Sequence, residues 1–309
     1  MRVAVVDIGT NSTRLLLAEL QAGRVTDELV RRSVVTRLGR GVDADGSLSQ
    51  QGMDRVFDTL AEYRSLVDSN GGADEGIAVL TSAVRDAANG AEFASAVGER
   101  FGFAPHVLSG DDEARMTFLG ATSERDLSDE TPTLVIDIGG GSTETVIGRP
   151  GHEPDFHVSN NAGVVRQTER HIHSDPPTDD ELAALAADVR EIIAAGVPER
   201  HRRAVGQAIA VAGTATSLAA IAQSLDPYDA SRVHGYVLDR RECERMLHEL
   251  AAVPLAQRRE VAGLHPDRAP TIVAGVVILL DVLDLFGLDN VEVSEHDILR
   301  GAALANTRK

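Results

Sequence analysis

Two related α/β domains facing one another are what this sequence predicts, and three observations predict them. The 309 residues are enough for about two domains, each with its own core. Residues 5–14 read VVDIGTNSTR and residues 135–144 read VIDIGGGSTE, so valine, aspartate, isoleucine, glycine, serine and threonine recur at a constant offset of 130. Residues 77–83 (IAVLTSA) and 209–215 (IAVAGTA) repeat a second pattern, an apolar strand running through Ser or Thr into an alanine-rich helix.

Taken in order, each glycine segment follows apolar residues and precedes another apolar run, LLLAEL in the first copy and TVIG in the second. That is a strand, a tight turn and a returning strand. Residues 107–121 (VLSGDDEARMTFLGA) pass from a strand end through Ser109 and Gly110 into a helix opened by acids. The polar segment 123–133, with Pro132 near its end, marks the boundary. The expected domains are 1–125 and 126–309, the last helices being able to pack back on the first domain. Residues 173–181 (HSDPPTDDE) form a surface loop leading into a helix capped by Thr178 or Asp179. The longest apolar run, 272–280, is cut off by Asp281 and Asp284. It has about half of the roughly 20 residues that span a bilayer, so it reads as a buried core helix, one that could also support a homodimer.

Composition narrows the function. Hydrophobic residues at 43% and charged residues at 25% are those of a soluble globular protein. A formal net charge of −18 argues against nucleic-acid polymers and anionic membranes as partners. The opening MRVAVVDIG turns charged too early for a signal peptide, and the single cysteine, Cys243, excludes an internal disulfide and any CxxC site. A cytoplasmic location is expected. The only lysine is Lys309, which rules out a Walker-type phosphate loop and a Schiff-base lysine. Genomic base composition is the bland reason for such arginine enrichment, yet arginine is also the side chain whose planar fork matches phosphate oxygens.

The glycine turns are candidate anion sites, because backbone N–H groups freed in such turns make concave cradles to which hydroxyls add donors. Thr10, Asn11 and Ser12 supply this in the first copy, and Gly140, Gly141 and Ser142 in the second. A bare hairpin turn needs only one or two glycines. Asp7 and Asp137 end the leading strands, and Glu144 joins them where the first copy has Arg14. Acids beside phosphate donors call for a hard cation, and Mg²⁺ prefers one or two carboxylates together with substrate phosphate. Acids at 111 and 112 are adequately explained as helix-start chemistry. Glu113 is a candidate general base. His171 and His173 have no third ligand nearby and read as surface or loop residues, whereas His234 is a candidate for the cleft lining.

These motifs, in this order, resemble the exopolyphosphatase and guanosine pentaphosphate phosphohydrolase family along nearly the whole chain. VVDIGTNSTRLLL and VIDIGGGSTE look like its two phosphate loops, TSAVRDAAN (81–89) like its arginine segment and SGDDEAR like its catalytic helix start; AGTATSLAA and RVHGYVL also match. The resemblance implies an actin-like (ribonuclease H-like) fold with two duplicated domains closing over phosphate. It implies Mg²⁺-dependent hydrolysis of a terminal phosphate, with Mn²⁺ as the alternative cation. Carried over residue by residue, Glu113 is the base, and Asp7, Asp137 and Glu144 are the metal-side carboxylates. Thr10, Asn11, Ser12, Arg14, Arg85, Gly139, Gly140, Gly141, Ser142, Arg166, Gly213 and Thr214 are the phosphate binders. The family more often has Glu at 111 or 112 and Ser at 10, and NNAGVVRQTER (160–170) matches only loosely, so Arg166 is a weaker transfer. Within the family the chain resembles the short form, and no C-terminal helical region is expected.

Phosphoryl transfer relies on positioning and charge stabilisation. At physiological salt the screening length is about 8 Å, so local groups outweigh the acidic surface. A basic lining drawn from Arg14, Arg85 and Arg166 is therefore expected. The resemblance implies inorganic polyphosphate or guanosine pentaphosphate as the expected substrate, which no motif separates. Other readings are an actin-like kinase, for which a water-activating Glu113 has no evident use, and a non-catalytic nucleotide sensor, which would have lost its acids.

Overall fold

A computed structural model describes residues 1–306; Lys309 lies outside the described residues. The chain divides into two compact units, residues 1–123 with 296–309, and residues 124–295. The division falls two residues before the boundary read from the sequence, and the last helix belongs to the first unit, the packing that the sequence reading allowed for.

In the first unit, β1 (Arg2–Ile8), β2 (Ser12–Gln21), β3 (Arg24–Val35), β4 (Glu75–Leu80) and β5 (Ala104–Val107) form a sheet in the order β3-β2-β1-β4-β5. The first three strands are antiparallel neighbours, while β4 and β5 run parallel to β1. Central β1 has to be apolar on both faces, and its two-residue period divides it accordingly. Ala4, Val6 and Ile8 pack with Val56, Leu60 and Tyr63 of the helix Gln50–Ser69 and with Phe93 and Val97 of the helix Gly90–Phe101. Val3 and Val5 face Ile298, Leu299 and Ala302 of the helix Ile298–Asn306. The return of the chain to the first unit covers a sheet face that would otherwise be exposed.

The second unit contains β6 (Thr133–Ile138), β7 (Thr143–Gly148), β8 (Phe156–Asn160), β9 (Gln207–Val211), β10 (Val237–Asp239) and β11 (Asn290–Val293), in the order β10-β11-β9-β6-β7-β8. Without β10 this is the first sheet again: three antiparallel strands, then two parallel ones. The duplicated ribonuclease H-like core expected from the sequence is present in both units. The helix Ile272–Phe286 is apolar nearly all round and lies inside the second core with Leu185, Val189 and Ile193 of the helix Asp179–Gly196. Thr178 caps that second helix with a full capping box through Glu181. Among the described residues no helix is long and apolar enough to cross a membrane.

Candidate active site

The first hairpin puts Arg14 directly opposite Asp7 in the β1–β2 ladder. Arg14 donates to Asp7 Oδ2 from Nε at 2.8 Å and from Nη2 at 2.6 Å, and its Nη1 meets Asp297. Asp297 Oδ1 in turn accepts from the Leu299 N–H at 3.0 Å, and Arg31 Nη1 lies 3.9 Å from the same oxygen. Burial raises the Asp7 carboxyl above its usual range against the pull of Arg14, and its Oδ1 has no hydrogen-bond partner among the described residues. Two acids thus meet two arginines inside one unit. The sequence offers Asp7 to a metal and Arg14 to phosphate, but the structure joins them to each other.

The second hairpin repeats the register with the opposite chemistry. Asp137 faces Glu144 across the β6–β7 ladder, 6% and 1% exposed respectively. Glu144 Oε1 accepts from the Ser159 hydroxyl of β8 at 2.7 Å. Two buried carboxylates at one ladder position are hard oxygen donors of the kind Mg²⁺ takes, and a cation between them offsets the cost of burying like charges together.

Both intervening loops are gripped by the segment that follows the third strand of their unit. In the first, Thr36 and Arg37 donate their N–H groups to the Asn11 carbonyl at 3.0 and 2.9 Å, and Gly39 donates to Thr10 at 2.8 Å. Arg37 adopts a left-handed φ of 51° to do so. The Thr10 hydroxyl lies 2.9 Å from that of Ser82. In the second, Val164 N–H donates to Gly139 at 2.9 Å, and Val165 and Arg166 N–H donate to Gly140 at 2.8 and 3.2 Å. A planar trans peptide carries its C=O and N–H in opposite directions. Pinning the carbonyls therefore turns the N–H groups of Asn11 and Ser12, and of Gly140 and Gly141, toward the opposite side. These are the residues the sequence marks as cradles.

Glu113 is 6% exposed, in the first turn of the helix Gly110–Ala121, whose N-cap Ser109 accepts from Asp112 N–H at 3.1 Å. The helix dipole favours an anion there. Arg85 Nη1 reaches Glu113 Oε2 at 3.0 Å and the Leu108 carbonyl at 2.9 Å. Sequence reasoning names both residues but not their ion pair. It also sets Arg14, Arg85 and Arg166 facing phosphate, yet each holds a partner in its own unit, Arg166 donating from Nε to the Gly141 carbonyl at 2.8 Å.

Gly213 and Thr214 open the helix Ala212–Ala222, where Ala212 takes a left-handed φ of 62°, a strain that accompanies functional turns. The Arg268 guanidinium lies against Gly213, nearer than any Cβ would permit. Arg268 and Asp297 were missed from the sequence. They stand in loop and helix-start segments (HPDRAP and SEHDIL) with no repeat to flag them, far along the chain from their partners. His171 lies 3.0 Å from Asp188, and His234 Nδ1 accepts from Glu295 N–H at 3.2 Å.

With the geometry known, similarity to known proteins becomes informative. Exopolyphosphatase 2 of Mycobacterium tuberculosis (strain H37Rv) is 37% identical, over 98% of this chain and 98% of its own. A crystal structure of an exopolyphosphatase-like protein superposes with a TM-score of 0.92 at 34% identity, covering 99% of this chain and 97% of the other. These likenesses define an enzyme class: the molecule is a phosphoanhydride hydrolase on a duplicated α/β core. It belongs to the Ppx/GppA phosphatase family, whose pattern matches residues 16–304. The crystal structure of the Aquifex aeolicus family member gives a TM-score of 0.82 at 29% identity, over 100% of this chain and 98% of that one.

Proposed function

We propose that this phosphatase is an exopolyphosphatase that releases orthophosphate from the end of inorganic polyphosphate with Mg²⁺. The observation that carries the site chemistry is the buried pair Asp137 and Glu144 facing each other across a hairpin whose loop carbonyls are tied back. The choice of polyphosphate is supported by the exopolyphosphatase name of the relative that matches along its full length.

Asp137 and Glu144 would hold the cation, which Mn²⁺ could replace because it takes the same oxygen donors. When bound, the cation supplies charge neutralisation for the transferring phosphoryl group. The chain's own residues do the rest. In the second unit the N–H groups of Gly140, Gly141 and Ser142 donate to phosphoryl oxygens, and in the first unit those of Asn11 and Ser12 offer donors of the same kind. Glu113 orients the attacking water and takes its proton, and Arg85 holds that carboxylate in place.

Phosphate release from polyphosphate, guanosine pentaphosphate and ATP, measured side by side with Mg²⁺ and with chelator, tests the reading. Metal-dependent release that is fastest from polyphosphate supports it. Fastest release from guanosine pentaphosphate replaces the substrate but keeps the chemistry. Release from ATP alone, or none from any of the three, rejects it.

A further inference from the structure

Arg166 donates from its side chain to a carbonyl of the second glycine loop. Its Nε–H meets the Gly141 oxygen at 2.8 Å, while its own backbone N–H meets the Gly140 oxygen at 3.2 Å. The helix Val164–His171 that carries it begins against the loop. Gly163, its N-cap, lies so near that a Cβ would overlap the Gly140 carbonyl group and the Gly141 carbonyl carbon. Beneath it the Thr143 hydroxyl donates to the Ala162 carbonyl at 2.5 Å and closes the contact from the β7 side.

The direction of one N–H follows from each of these bonds. The Gly141 oxygen and the Ser142 N–H belong to the same planar peptide and point oppositely. Gly141 on one side of that plane restrains it less than a residue with a side chain would. The helix amides tie the Gly139 and Gly140 carbonyls, but the Gly141 carbonyl is tied by Arg166. The first loop is built differently: Thr10 and Asn11 carry side chains that restrict it, and backbone N–H groups of Thr36, Arg37 and Gly39 hold its carbonyls.

We propose that Arg166 is a positioning residue: its Nε fixes the Gly141–Ser142 peptide so that the Ser142 N–H faces a phosphoryl oxygen, and it acts through this peptide rather than by pairing with phosphate. The inference rests on the proposed role of this loop in phosphoryl transfer. An Nε donor belongs to the guanidinium fork and has no equivalent in lysine, which supplies only a point charge.

Arg166→Lys and Arg166→Gln separate geometry from charge. Both variants should lower kcat for polyphosphate by a similar factor, about tenfold to a hundredfold, with KM within about threefold of wild type. In protein labelled with ¹⁵N-glycine and ¹⁵N-serine and free of substrate, the Gly141 and Ser142 amide resonances should shift in both variants while those of Gly9 and Ser12 stay in place. A lysine variant with wild-type kcat, beside a glutamine variant with KM raised tenfold or more, would overturn the proposal in favour of direct phosphate contact. Unmoved Gly141 and Ser142 resonances in both variants would overturn it too. The resonance arm needs no turnover, so a wild-type enzyme inactive on every substrate would reject the proposed function and still leave the peptide clamp to be judged by its own spectrum. Thermal unfolding of the lysine variant, which keeps the charge, checks that the fold is intact.

Discussion

The β1–β2 and β6–β7 hairpins are copies of one design carrying opposite electrostatics. In each, an aspartate near the end of the leading strand faces, in ladder register, the residue that follows a Ser-Thr pair at the start of the return. In the first hairpin that residue is Arg14, and the acid is bound by a fork that also holds Asp297. In the second it is Glu144, so the acid faces another acid. One substitution between duplicates thus separates them: the first hairpin builds a closed ion pair, and the second leaves two carboxylates face to face, the pair proposed above to hold a cation. Duplication lets one copy be spent on holding the fold while the other keeps chemistry that is costly to bury.

The sharpest way to break this comparison is to make the second hairpin like the first. Glu144→Arg should lower kcat by about 10³–10⁴, because a cation's stabilisation of developing charge is worth several kcal/mol. Steady-state phosphate release across a Mg²⁺ series checks it, and retention of wild-type activity would remove Glu144 from the metal site. Glu113→Gln follows, with kcat lower by about 10²–10³ and substrate binding nearly unchanged. Wild-type-like turnover there would take Glu113 out of the mechanism.

Stability distinguishes the hairpins in another way. Arg14→Met leaves Asp7 and Asp297 buried without their shared partner and should cost about 3–5 kcal/mol in urea unfolding. Mg²⁺ at about 100 times its Kd should stabilise both wild type and Arg14→Met by about 2.7 kcal/mol, and should leave Glu144→Gln almost unmoved. Equal stabilisation of all three would place the cation elsewhere. The smallest effects concern the loop supports. Gly163→Ala presses on loop backbone and should cost about 1–3 kcal/mol and reduce kcat. Gly39→Ala meets chiefly the Thr10 methyl group, the end of a side chain, and should cost less, with kcat closer to wild type.

The hairpins, the duplication and the named acids were legible because they are local: a two-residue period, a glycine turn and a repeat survive in any window of ten residues. The partners of those acids were less so. Asp7 and Arg14 are seven residues apart, but reading them as a pair requires the ladder register, and Asp297 completes the pair from the far end of the chain. Strand β5 (APHV) is exposed throughout and carries no alternation to announce it. The role of Arg166 left least trace, because its partner is a backbone oxygen that every residue possesses. Arginine-rich composition suggested a basic lining but could not show that three of those arginines also hold carboxylates or a carbonyl in their own units.

Anomalous diffraction from Mn²⁺-loaded crystals of the wild-type protein addresses the division of labour between the hairpins most directly. The account predicts an anomalous peak within bonding distance of the Asp137 and Glu144 carboxylates and none on Asp7, whose bond to Arg14 stays closed. A peak coordinated by Asp7 with Arg14 displaced, or none beside Asp137 and Glu144, would contradict it.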